Sequence, residues 1–142
     1  MRKDAATTTP RGTSSTATGG AAGTEVDVTL QEFSVIPDVD SVEAGEVTFK
    51  VENVGPDDVH EFVIFKTELE PDALPTVADS SVDEAGEGVE LIDEIEDIPV
   101  GETQSVTVDL EAGSYVLICN IYDETENEAH YAEGMHTAFT VE

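Results

Sequence analysis

Along much of this chain apolar and polar residues alternate at a period of two. Val26, Val28 and Leu30 do so near the start. Val47, Phe49 and Val51 repeat the pattern within Glu46–Glu52, and Val106, Val108 and Leu110 within Thr103–Leu110. That period puts successive side chains on opposite faces of an extended backbone and predicts half-buried strands. Two other stretches, Val59–Phe65 and Ser114–Ile121, are apolar at nearly every position and predict strands covered on both faces. Thr137–Val141 supplies a last strand. Turn signals separate these runs: Ala44-Gly45, Gly55-Pro56-Asp57-Asp58, Pro99-Val100-Gly101 and Ala112-Gly113. Many short strands with frequent turns predict an all-β fold, an antiparallel sandwich. Residues 67–88, with Pro71, Pro75 and the acidic run Asp79–Gly88, read as a long loop with room for one short helix. Val89–Ile98 fits helix or strand, and the flanking Gly88 and Pro99 favour a strand.

Composition changes the picture at the start of the chain. Residues 1–23 are Thr, Ser, Ala and Gly with almost no large apolar group, so they cannot build a core. They read as a disordered tether or stalk, or equally as a terminus without function, ahead of one domain at residues 24–142. No hydrophobic segment of the signal-peptide kind is visible there, and no apolar run is long enough to cross a membrane. One cysteine excludes an internal disulfide. The formal net charge of −28 excludes nucleic acid and anionic lipid as partners, because both are gripped through Lys and Arg. Such charge strains a folded domain unless salt screens it, which points to a halophilic source.

The candidate chemistry lies in the soft donors. Cys119, His130 and Met135 follow one another as C-x10-H-x4-M, and His60 opens the upstream apolar run. The chain holds three His, one Cys and two Met in all, so the set uses most of its soft ligands. Two imidazoles, a thiolate and a weak thioether form the donor set of a blue-copper electron-transfer site. Taken singly, each residue has a plainer reading: Cys119 and Met135 as core filler, His60 as a strand-end histidine, His130 as a loop residue. Their joint order carries the metal reading. His136 is the alternative to His130, disfavoured by the spacing. A copper-binding or delivery protein without a shuttling role is the competing function, although such sites lean on several Met or Cys. An enzyme would need a second copper site, for which only His136 remains. A structural zinc site prefers more Cys and rejects Met.

The residues Thr48–Gly55, Val59–Val63, Pro99–Thr103, Gly113–Cys119 and His130–Met135 together resemble the cupredoxins, the plastocyanin- and halocyanin-like blue-copper proteins. The resemblance implies a Greek-key β-sandwich and one type 1 copper ion cycling between Cu(II) and Cu(I). It assigns His60, Cys119, His130 and Met135 as metal ligands, with no catalytic residue, and His130 near the surface as the electron port. It further implies redox partner proteins as donor and acceptor, a monomer, and an extracytoplasmic place, with the tail as a membrane tether. Two departures stand out. Asn120–Ala129 is longer and more acidic than the usual turn between Cys and His. Glu61 stands where many members carry an Asn that ties the ligand loops together, a role left to Asn53 or Asn120.

Overall fold

The computed structural model describes residues 23–142, so the expected tail lies outside the described residues apart from Gly23. Among the described residues eleven strands run in order: β1 (Thr24–Gln31), β2 (Ser34–Pro37), β3 (Ser41–Val42), β4 (Gly45–Gly55), β5 (His60–Lys66), β6 (Glu90–Ile98), β7 (Thr103–Leu110), β8 (Gly113–Ile118), β9 (Tyr122–Asp123), β10 (Glu128–Ala129) and β11 (His136–Val141). One short helix, α1 (His130–Glu133), interrupts them just before β11. No helix among the described residues is long and apolar enough to cross a membrane.

The strands form a Greek-key sandwich of two sheets, ordered β2-β1-β4-β7 and β3-β11-β8-β5-β6, with β9 and β10 as a separate hairpin. Two pairings, β1 with β4 and β3 with β11, are parallel, which corrects the expected antiparallel sandwich. Alternation dictates which face a residue takes and is blind to the direction of the neighbouring strand.

Alternating positions of both sheets fill one core. Val26, Val28 and Leu30 of β1 and Val47, Phe49 and Val51 of β4 meet Phe62 and Ile64 of β5, Leu117 of β8 and Phe139 of β11. The other faces of β5 and β8 are apolar for a separate reason. Val63, Phe65, Val116 and Ile118 are covered by Leu74 and Val82 from the 67–88 segment and by Tyr131 of α1. The doubly apolar strands therefore mark where a loop lies over the sheet. That segment contains no helix, only an isolated bridge between Thr76 and Val82, and α1 falls elsewhere than the sequence suggests. Val89–Ile98 is strand, as β6.

Candidate metal centre

β5 begins at His60, β8 ends one residue before Cys119, and the two strands are antiparallel neighbours. His60 and Cys119 are thereby brought to the same end of the sandwich. The chain then leaves β8 through the β9–β10 hairpin and re-enters through α1, which starts at His130. The His130 amide donates to the Ile121 carbonyl at 2.9 Å and closes that excursion. Gly134 ends α1 at φ +123°, a conformation that side chains resist, and a Cβ there would press on the Phe33 carbonyl oxygen. From that turn Met135 runs back past the site. Its amide donates to the His130 carbonyl and its carbonyl accepts from the Cys119 amide, both at 3.1 Å.

The side chains converge as the backbone does. His60 Nδ1 and His130 Nδ1 lie 3.2 Å apart, and Cys119 Sγ lies 3.8 and 3.6 Å from them. All three residues are buried, and Met135 is fully buried in the core cluster that contains Cys119. His136 is not part of this group; it opens β11 and packs its ring at a tilt against Tyr131, with centroids 5.2 Å apart. The point equidistant from the three donor atoms lies about 2 Å from each, close to ordinary metal–imidazole and metal–thiolate bond lengths of about 2.0–2.3 Å. The residues present thus fit one type 1 copper ion, which His60, Cys119 and His130 would hold, with Met135 buried in the same core cluster as Cys119.

The surroundings prepare these donors. Burial pushes the Cys119 thiol up to about 12, although the Glu61 and Ile121 amides favour its thiolate. The Glu61 amide donates to Sγ at 3.3 Å. Without metal the site therefore holds a thiol, and a metal ion must displace its proton. Burial and the neighbouring His60 lower the pKa of His130, against Asp58, Asp123 and Glu32, so its ring favours the neutral, ligating form. Asn53, fully buried, donates from Nδ2 to the carbonyls of Asp58 and Ile98 and accepts from the Gly55 amide. It ties the segment leading into His60 to the β6 end. Asn120 instead holds the 67–88 segment, through both main-chain groups of Val82 and the Glu84 carboxylate.

Sequence reasoning missed three residues at this centre. Glu32 Oε2 sits 2.7 Å from His60 Nε2. Phe33 meets the His130 ring edge-on at 5.2 Å. Asp58 Oδ2 is 3.6 Å from His130 Nε2, too far for a hydrogen bond, and that nitrogen is buried without a partner. No sequence signal singles out Glu32 or Asp58 among 33 acidic residues. The His130 side chain, expected near the surface, is 1 % exposed. The long Cys-to-His segment folds as the β9–β10 hairpin and walls the ring in together with Phe33. Outside that wall lies a cleft of about 730 Å³ lined by Glu32, Asp57, Asp58, Asp123, Glu126 and Glu128.

No protein-family model matches the chain, and no curated protein sequence does. Solved structures do match. A dithionite-reduced auracyanin from Roseiflexus castenholzii is 21% identical, with a TM-score of 0.58 over 85% of this chain and 98% of that one. Auracyanin A of Chloroflexus aurantiacus, described as a blue copper protein, is 20% identical, with a TM-score of 0.58 over 85% of this chain and 100% of its own. Rusticyanin from Thiobacillus ferrooxidans is 18% identical, with a TM-score of 0.54 over 85% of this chain and 79% of its own. The chain has the cupredoxin fold. Within it the His60–Cys119–His130 group occupies the end of the sandwich where β5, β8 and α1 meet. The two chief local features of this cupredoxin fold are the walled-in His130 and the carboxylate behind His60.

Proposed function

We propose that this protein shuttles single electrons through one copper ion held by His60, Cys119, His130 and Met135, between redox partner proteins outside the cytoplasm. The observation that carries the reading is the triangle of two imidazole nitrogens and one sulfur around a common point about 2 Å away, the bond length a metal requires. Bound copper would supply the one-electron Cu(II)/Cu(I) couple. The chain's own residues keep the donors still while charge changes. Cys119 and His60 stand at the ends of paired core strands, and the Met135 main chain links Cys119 to His130. Core residues and the hairpin keep water from the donors, so little solvent has to reorganise around them. The carboxylate-lined cleft outside His130 suits partners with Lys and Arg on their docking face.

The visible spectrum of the Cu(II)-loaded protein tests the reading. An intense thiolate-to-copper band is expected, lost in Cys119→Ser, together with a reversible one-electron wave. A colourless copper complex, or a band that survives Cys119→Ser, overturns it. A coloured centre with no reversible wave would favour copper delivery over electron transfer.

A further inference from the structure

The two imidazoles of the centre are supported unequally. A neutral imidazole carries one proton, so whatever holds that proton on one nitrogen frees the lone pair of the other. His60 Nε2 has a partner 2.7 Å away in Glu32 Oε2, whereas His130 Nε2 has none. Glu32 is itself fixed from several sides. Its Oε1 accepts from the Asp57 amide at 2.7 Å and the Asp58 amide at 3.2 Å, and its own amide donates to the Gly55 carbonyl at 3.2 Å. Its side chain is only 12 % exposed. Burial alone would raise the pKa of Glu32, but the hydrogen bonds to Asp57, His60 and Asp58 hold it below the usual range. One carboxylate thus grips the backbone just ahead of β5 with one oxygen and the first ring of β5 with the other.

Resting on the copper reading above, we propose that Glu32 is a positioning residue of the centre. Its carboxylate keeps the His60 proton on Nε2 and aims the Nδ1 lone pair at the space shared with Cys119 and His130. Through the same bond it biases a bound copper ion toward the oxidised state. The physical basis is that an acceptor behind a ligating histidine fixes tautomer and ring orientation and raises the ligand's basicity. A negative acceptor adds charge that favours Cu(II) over Cu(I). A purely structural Glu32, one that only ties the segment before β5, would leave both tautomer and potential alone.

Glu32→Gln and Glu32→Ala separate these roles. In Glu32→Gln a single oxygen faces two backbone amides and one ring proton. The amides retain it, so the amide NH2 meets Nε2 and drives the His60 proton to Nδ1. Nitrogen-15 NMR of the metal-free chain should therefore show the Nε2–H tautomer in the wild type. It should show the inverted one in Glu32→Gln and a mixture in Glu32→Ala. With copper, both variants should lose about 10–100-fold in Cu(II) affinity. The Cu(I) affinity should fall less, each tenfold difference raising the potential by about 59 mV. Wild-type tautomer in both variants with an unchanged potential overturns the proposal. Should Glu32→Ala not fold, Glu32→Gln alone decides it. A wild type without a blue centre but with the tautomer shifts intact would sink the electron-carrier reading and leave the positioning role. The reverse pattern would do the opposite.

Discussion

At the scale of single residues, Glu61 shows what the position next to a donor costs. Its amide serves Cys119 Sγ while its carboxyl is drawn among Glu84, Glu94 and Glu96. Burial, and then those three carboxylates, push its pKa to about 7 from the usual 4.5. The folded chain therefore binds a proton between these values that the unfolded chain does not. Glu61's contribution to stability is fully present below about pH 4.5 and is lost as pH rises through about 7. Metal-free Glu61→Gln should exceed the wild type at pH 8 by on the order of 1–3 kcal/mol, after allowance for solvent at this partly exposed group. The advantage should close toward pH 4.5. Urea midpoints across this range check it, and parallel curves for the two proteins would refute it. In the sequence Glu61 stands out only because it follows His60. Nothing in the sequence marks Glu32, because its contact spans 28 residues and acids are everywhere in this chain.

Among elements, the 67–88 segment and α1 behave as one cover over the outer face of β5 and β8. Tyr131 joins them: its hydroxyl donates to the Pro71 carbonyl at 2.6 Å and accepts from the Leu74 amide at 3.1 Å. Tyr131→Phe leaves a buried amide without a partner and should cost about 1–3 kcal/mol. Chemical denaturation of the metal-free protein would show the loss. A change below a few tenths of a kcal/mol would mean that water replaces the hydroxyl. This cover explains what the pattern of residues could and could not reveal. The unbroken apolar runs in β5 and β8 announce that something lies on their outer face. They do not say that the cover is Pro-rich irregular chain, since such a segment has no period to read. The same limit hid the hairpin over His130. Its strands are two residues each, too short for alternation to register.

For the whole molecule, charge is the dominant fact. The formal net charge is −28, and among the described residues the only Lys or Arg side chains are Lys50 and Lys66. Lys66 is engaged with Glu111 at 2.9 Å. Carboxylates repel one another across the surface over distances that salt shortens, from a Debye length of about 30 Å at 0.01 M to about 3 Å at 1 M. The thermal midpoint should therefore climb by several degrees between these salt concentrations, measured by circular dichroism in sodium or potassium chloride. A midpoint that is flat or falling would show that the charges are already spaced beyond harm. This sensitivity was legible from composition. The sheet pairing was not: the parallel β1–β4 contact depends on which faces find each other in three dimensions.

The burial of Cys119 has a second consequence. It is the only sulfhydryl in the chain, it is fully enclosed, and burial keeps it protonated. Alkylating reagents need an accessible thiolate, so in the metal-free protein they must wait for the strand ends to part. Every labelling event then records one opening of the sandwich at the end that holds the two imidazoles and the thiol. The chain carries its own stopwatch for local unfolding, with no probe to be engineered in.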